Sequence, residues 1–272
     1  MSGGPRFAAE FDPPLDLGGD VYRRRIIAER IDSATVVCGL EDDFHHFVVT
    51  LVHDGARVVD ATNESHRWPW ATCPGAGDHL RLLVGVPLLP RFTAAARHAD
   101  AHQNCTHQFD AAAHAMTLAA HGRERRQYDV EIGGLLTARG PGRNRLWVDG
   151  LLAHEWLIAS GRTPVSLPPE LQDAPWKGGF MRWADEHLDP DRAEIAIVLR
   201  RACDIGMGRN MPLDAMPVAS DLLATMVGVC HSMQPEVAPD GFRNRGSICD
   251  FAAHPELLTA DPSLPRHHVV RT

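Results

Sequence analysis

A short turn between two runs of aliphatic and β-branched residues places the strongest limit on the fold of this chain. Residues 47–52 and residues 56–62 flank the tripeptide His53-Asp54-Gly55. An Asp-Gly pair in this position is typical of the tight turn of a β-hairpin. The two runs therefore predict neighbouring antiparallel strands and, with them, an antiparallel sheet.

The remaining elements follow from the same kind of pattern. Strands are predicted over residues 21–31 and 33–39, with a second hairpin over residues 128–137 and 145–153. Helices are predicted over residues 75–84, 91–99, 106–121, 193–203 and 218–227, and a proline-rich connector over residues 159–179. The expected fold class is α+β, with an antiparallel sheet and packed helices, completed by a hairpin and a helical C-terminal subdomain.

Composition divides the chain into three predicted parts. Residues 1–19 are rich in proline and glycine and lack an apolar run, which is typical of a flexible arm and not of a signal peptide. Residues 20–127 are the predicted α+β core and carry the candidate site. Residues 128–272 contribute the second hairpin and the helical subdomain.

The charge of the chain argues against nucleic acid as a partner. It has 27 basic and 35 acidic residues, a formal net charge of −8 with its 16 histidines neutral, and no basic stripe offsets this balance. No run approaches the roughly 20 apolar residues that a membrane helix needs, so no membrane partner is expected. The six cysteines are dispersed without a disulfide-like framework, which is typical of a cytoplasmic protein with reduced thiols.

Most familiar cofactor and catalytic motifs do not occur. No glycine-rich dinucleotide motif or phosphate loop is present, so no nucleotide cofactor is expected. There is also no GxSxG nucleophile elbow and no HExxH metal motif. Lys177 is the only lysine, within a Trp-Lys-Gly-Gly loop, so imine chemistry has a single candidate.

Three segments rich in histidine, cysteine and aspartate predict one functional site. They are residues 41–47 (EDDFHHF), residues 67–73 (RWPWATC) and residues 105–110 (CTHQFD). The first leads into a predicted strand, the second is an irregular turn, and the third opens a predicted helix. Such segments can converge at one end of a sheet.

The candidate metal ligands are His45, Cys73, Cys105 and His107, which could hold one zinc or iron ion. Thr106 can cap the predicted helix, so the helix dipole would favour a thiolate at Cys105. The alternative is that both cysteines are inert core residues, the more frequent role of buried cysteine.

Six residues are candidates for acid–base catalysis: His45, His46, Asp43, Arg67, His107 and Asp110. On a strand His45 and His46 point to opposite faces, so only one of them can enter the site. A neighbouring aspartate could fix the imidazole tautomer or itself act as a base. A solvated acidic turn is the alternative for this segment, and a structural salt bridge is the alternative for Arg67.

Aromatic residues beside these groups are the candidate contacts for a substrate ring: Trp68, Trp70 and Tyr22. Trp68 and Trp70 flank a proline, where a packing role is equally compatible with the sequence.

The three segments resemble a bacterial family that is catalogued only as a domain of unknown function. The resemblance runs from about Val21 through most of the chain and is most specific in the first half. It implies a fold similar to the SufE/NifU-like superfamily of iron–sulfur scaffold and sulfur-acceptor proteins. Cys73 and Cys105 match two scaffold cysteines, whereas His45 or Asp43 stands where the scaffolds carry another. This departure implies a mononuclear zinc or iron centre instead of cluster assembly.

Two functions remain open at this point. The first is an enzyme of small-molecule catabolism, for which the resemblance implies aromatic or other carbon compounds; it would be a lyase or a hydrolase, for example one that releases formaldehyde by retro-aldol cleavage. The alternative is a non-enzymatic metal, sulfur or iron–sulfur carrier. A carrier has no evident need for residues 128–272, so the enzyme is favoured, with a small-molecule substrate and a homodimer expected from size and family type.

Overall fold

Eight antiparallel strands form one open sheet in the computed structural model, which describes residues 20–134, 141–159 and 163–262. The strands are β1 (Val21–Arg30), β2 (Thr35–Asp42), β3 (His46–His53), β4 (Val58–Arg67), β5 (Arg125–Gly133), β6 (Gly142–Val148), β7 (Leu151–Ala159) and β8 (Thr163–Ser166). Their order is β4-β3-β2-β1-β5-β6-β7-β8. The α+β class is confirmed, while the predicted arm at residues 1–19 lies outside the described residues.

Four α-helices are present in the described residues, and two of them pack against this sheet. The four are α1 (Thr106–Ala120), α2 (Phe180–His187), α3 (Pro190–Gly206) and α4 (Leu223–Met226). The alanine-rich helix α1 contacts β1, β2 and β3, and α3 contacts β1, β5, β6 and β7. His114 of α1 lies 2.6 Å from Glu194 of α3 (Nδ1 to Oε1), and this contact joins the two helices. No helix among these residues is long and apolar enough to cross a membrane.

The two predicted hairpins have different outcomes. The first is confirmed, since β3 and β4 pair across the predicted turn, with Thr50 opposite Thr62. In the second, the antiparallel pairing is confirmed, with Val130 opposite Leu146, but a single strand over residues 145–153 is wrong. Asp149 and Gly150 adopt positive φ angles of 49° and 82° and form a turn that separates β6 from β7. Residues 135–137 of its first predicted strand lie outside the described part of the chain.

Several other predicted boundaries also change. The helices predicted over residues 75–84 and 91–99 are 3₁₀ helices, Cys73–Leu83 and Phe92–Arg97. The predicted connector contains β8. The proposed boundary between residues 127 and 128 falls inside β5, which pairs with β1 along its length. The sheet is therefore continuous across the two predicted parts.

Candidate active site

A cavity of about 860 Å³ lies between the three predicted site segments and the C-terminal part of the chain. Its apolar wall is formed by aliphatic and methionine side chains: Ile205, Met207, Met211, Leu213, Leu222, Met226, Val229 and Met233. Its polar lining includes His45 and His107 on one side and Lys177 and Arg200 elsewhere. A volume of this order holds a drug-sized organic molecule, and a mainly apolar wall with few polar groups is typical of such sites.

A fully buried carboxylate organises the polar part of the cavity. Asp42, the last residue of β2, accepts backbone N–H groups of Phe44 and His45 at Oδ1, at 2.9 and 2.8 Å. The Tyr22 hydroxyl donates to Asp42 Oδ2 at 2.8 Å. His45 Nδ1 lies 3.0 Å from Oδ1, and His107 Nε2 lies 3.3 Å from Oδ2. We call Tyr22, Asp42, His45 and His107 the Asp42 cluster.

The electrostatics of this cluster determine the tautomer of His45. Burial alone would raise the pKa of Asp42, but the two imidazoles, with His45 the larger influence, lower it well below its ordinary value. An ionised carboxylate can only accept, so the nitrogen of His45 nearest to it must be the N–H. In the neutral form of His45, Nε2 then carries a lone pair. Burial, with His45 adjacent, lowers the pKa of His107 to about 3, so His107 is neutral at physiological pH.

The two imidazole rings of the cluster are stacked. Their centroids are 3.6 Å apart, with an interplanar angle of 26°. His107 comes from the first turn of α1, whereas His45 comes from the turn between β2 and β3. The stack therefore fixes the helix against the end of the sheet at the position of the site.

Arg67 holds the turn that carries His45. Its guanidinium is buried and donates to the backbone carbonyls of Asp42 at 2.6 Å and Asp43 at 2.8 Å. It also lies 3.3 Å from the Glu41 carboxylate. These contacts match the structural salt bridge that was the alternative for this residue, and Arg67 is not part of the cavity lining.

Two aspartates among the catalytic candidates lie in ion pairs away from the cavity. Asp43 pairs with the buried Arg209; burial raises its pKa to about 7, although the arginine opposes this shift. Asp110 pairs with Arg201 at 2.6 Å and lies 3.6 Å from Arg24. Each pair joins segments that are distant in sequence.

Of the adjacent histidines, only His45 lines the cavity. His46, the first residue of β3, stacks on His66 with centroids 4.8 Å apart and lies 3.5 Å from the Glu41 carboxylate. Burial lowers the pKa of His46 to about 4. This placement agrees with the alternation expected for neighbouring residues at the start of a strand.

Only one of the three aromatic candidates lines the cavity. Trp70 lines the cavity, whereas Trp68 is partly buried against the core outside it. Tyr22 is fully buried and bonds to Asp42, so it positions the carboxylate and does not face a ligand.

Cys73 and Cys105 line the cavity as thiols. Burial raises the pKa of Cys73 to about 12 and that of Cys105 well above its ordinary value. Cys105 is the N-cap residue of α1, with no side-chain cap hydrogen bond, so the expected cap at Thr106 is wrong by one position. The backbone N–H groups at this helix end do not offset the burial of the sulfur.

One group of side chains in the described chain has its donor atoms close enough to hold a metal ion. It consists of Asp42, His45 and His107, whose ligand atoms lie within 4.8 Å of one another. The sequence predicted the two histidines together with two cysteines. The structure brings the histidines together with Asp42 instead.

Sequence reasoning did not place the second half of the cavity in the site, although it singled out Lys177 as the only lysine. Trp176, Lys177, Arg200 and Ser232 line the cavity, and they come from the segment after β8, from α3 and from the region after α4. The sequence pattern offered no local signal for this wall, because it is assembled from separated segments.

Fold and site together define an α+β protein with a buried aspartate–histidine cluster beside a large apolar cavity. Residues 27–121 match a protein family described as "Protein of unknown function (DUF2889)". This match supports the expected resemblance to an uncharacterised family, and the matched segment contains Asp42, His45 and His107. No curated protein and no solved structure matches the chain, so the similarity to SufE/NifU-like scaffolds stays a prediction.

Proposed function

We propose that the protein is a lyase that acts on a small hydroxylated aromatic compound, with His45 as the general base. One observation carries the proposal: His45 lines a mainly apolar cavity while its Nδ1 is held by the buried, ionised Asp42. A fixed tautomer with a free ring nitrogen is what proton abstraction by histidine requires. The apolar wall and Trp70 suit an aromatic ring.

The reaction that fits these groups is retro-aldol release of formaldehyde. His45 Nε2 takes the proton of a substrate hydroxymethyl group, and the bond between its carbon and the neighbouring carbon breaks as formaldehyde forms. The electron pair remains on that neighbouring carbon, which an adjacent carbonyl stabilises as an enolate. The carbon then takes the proton back from the imidazolium. Atoms and electrons balance without an oxidant or a reductant.

A metal-assisted alternative would use three side chains of the Asp42 cluster as ligands, and His45 would then be a ligand instead of the general base. Asp42, His45 and His107 are oxygen and nitrogen ligands of the kind that zinc and iron accept. A bound zinc or iron ion would act as a Lewis acid toward a substrate oxygen. In the metal-free form, the Tyr22 hydroxyl and the backbone N–H groups already satisfy Asp42, which favours acid–base chemistry alone.

The alternative of a sulfur or metal carrier has less support. Such a protein presents an accessible thiolate to its partner. Cys105 is 5% exposed, and its raised pKa keeps the sulfur protonated.

The proposal is tested with 3-hydroxy-1-phenylpropan-1-one, which would give formaldehyde and acetophenone in equal amounts. Replacing the base by His45→Ala, or changing the tautomer by Asp42→Asn, is expected to lower the rate by roughly 10²–10⁴-fold. His98→Ala removes an exposed histidine outside the cavity and serves as the control. Full activity in His45→Ala would contradict the assignment.

Elemental analysis of protein purified without chelators distinguishes acid–base catalysis alone from metal-assisted catalysis. The acid–base form predicts activity in metal-free protein. About one zinc or iron ion per chain, lost in His107→Ala together with activity, would instead support the metal-assisted form.

A further inference from the structure

One wall of the cavity contains an aromatic and basic cluster, Trp176, Lys177 and Arg200. The proposed chemistry does not use this wall. Arg200 of α3 donates from Nη2 to the Trp176 carbonyl at 2.9 Å, and its guanidinium carbon lies 4.5 Å from the Trp176 ring centroid. Its Nη1 lies 2.5 Å from Asp204 Oδ2. These contacts hold the guanidinium in one orientation at the cavity lining.

Two buried donors in this cluster have no acceptor among the described residues. They are Nε of Arg200 and Nε1 of Trp176, and both side chains line the cavity. Trp176 is only 9% exposed. Buried N–H groups are nearly always hydrogen-bonded in native proteins, and an unpaired one carries a desolvation cost. An acceptor group on a ligand in the cavity would remove that cost.

Lys177 adds a positive charge at the same place. It is exposed, it lines the cavity, and no carboxylate in the described part of the chain forms an ion pair with it. Lys177 and Arg200 are two cations against the single carboxylate of Asp204, so this wall carries a net positive charge.

We propose that Trp176, Lys177 and Arg200 form a carboxylate subsite, so that the substrate is an aromatic acid. Arginine and lysine donors make short charge-assisted hydrogen bonds to carboxylates, and the indole N–H supplies a third donor. The inference rests on the proposed function only in that the same molecule also presents its hydroxyl group to His45. Anion binding at this wall does not itself require turnover.

Calorimetry with two ligands of similar shape tests the subsite without turnover. We expect 2-naphthoate to bind at least about tenfold more tightly than the uncharged 2-naphthalenemethanol, the size of effect that one charge-assisted contact gives. Lys177→Gln and Arg200→Lys should remove most of this preference and leave the affinity for the alcohol unchanged. Arg182→Gln is the matched control, because it removes an exposed positive charge of α2 that does not line the cavity.

The single lysine offers a second measurement. Trinitrobenzenesulfonate should modify Lys177, identified by peptide mapping, and 2-naphthoate should protect this residue where the alcohol does not. Equal affinity for the two ligands, no binding of either, or an unchanged preference in both Lys177→Gln and Arg200→Lys would overturn the subsite.

The proposed function is judged separately. His45→Ala should retain the affinity for 2-naphthoate while losing formaldehyde release. Loss of the ligand preference therefore refutes the subsite alone, and unchanged turnover in His45→Ala refutes the lyase alone.

Discussion

Two neighbouring aspartates show how the surroundings of a residue decide its role. Asp42 and Asp43 are adjacent and both are buried. Two imidazoles lower the pKa of Asp42, whereas burial raises the pKa of Asp43 to about 7 despite its pairing with Arg209. Asp42 is thereby kept ionised to orient His45, while Asp43 joins the turn to the C-terminal part of the chain. The identity of the residue alone does not distinguish these roles.

The thiols of the cavity provide a prediction at this scale. Because burial raises the pKa of Cys73 to about 12, its thiolate fraction at pH 8 is about 10⁻⁴ and rises about tenfold with each pH unit. We expect iodoacetamide to alkylate Cys73 and Cys105 of the native protein at least about 10³-fold more slowly than glutathione. Mass spectrometry of each peptide with time measures the rates.

The same labelling in urea is the control, since unfolding should return both cysteines to ordinary rates. Rapid labelling of native Cys105 would instead support the carrier function. It would also show that the helix N-terminus stabilises the thiolate more than burial opposes it.

The sequence predicted only some of the residues that meet at the site. Alternation along a strand indicated that one of His45 and His46 enters the site, and this is how the structure places them. The arginine partners of Asp43 and Asp110 lie 166 and 91 positions away. A local motif contains no information on such distant partners, so these aspartates could not be assigned to ion pairs from sequence.

Among the strands and helices, a feature was predicted correctly where a few neighbouring residues indicate it specifically. The Asp-Gly turn after β3 depends on residues close in sequence, and it is as predicted. The sequence prediction places the same dipeptide, Asp149-Gly150, inside a single strand, whereas in the structure it is the turn between β6 and β7. The 3₁₀ form of residues 73–83 could not be predicted, because hydrophobic spacing does not separate 3₁₀ from α in short segments.

The cap of α3 is the basis of a prediction about stability. Asp189 Oδ1 accepts the backbone N–H groups of Asp191 and Arg192 at 3.1 and 3.0 Å. Asp189→Ala is expected to lower the free energy of unfolding by about 1 kcal/mol, because these N–H groups then lose their side-chain acceptor. Urea denaturation measures the change.

Asp189→Asn provides the matched control, since an asparagine oxygen can cap the same groups. Equal losses in the alanine and asparagine variants would contradict a capping role. Such a result would mean that the loss of stability comes from removing the negative charge of Asp189 and its exposed ion pair with Arg192, which lies 3.4 Å away.

At the level of the whole molecule, the two predicted parts of the chain complete each other. β1 is paired with β2 on one side and with β5 on the other, so the sheet crosses the predicted boundary. The buried pair of Asp43 and Arg209 joins the turn after β2 to the segment after α3. The cavity is lined by His45 and His107 from one part and has most of its apolar wall in the other, so both parts are needed to form it.

This continuity predicts that residues 20–127 do not fold as an independent domain. In that fragment β1 would lose six of its nine residue pairs with β5, and the buried His114 of α1 would lose Glu194. Exposed strand edges and unpaired buried polar groups both oppose a stable fold. We expect residues 20–262 to unfold in one cooperative thermal transition, and residues 20–127 to show none, when both are followed by circular dichroism. A cooperative transition in the shorter fragment would support the domain boundary that composition predicted, and would mean that β2, β3 and α1 supply enough buried area to hold β1 without most of its second partner.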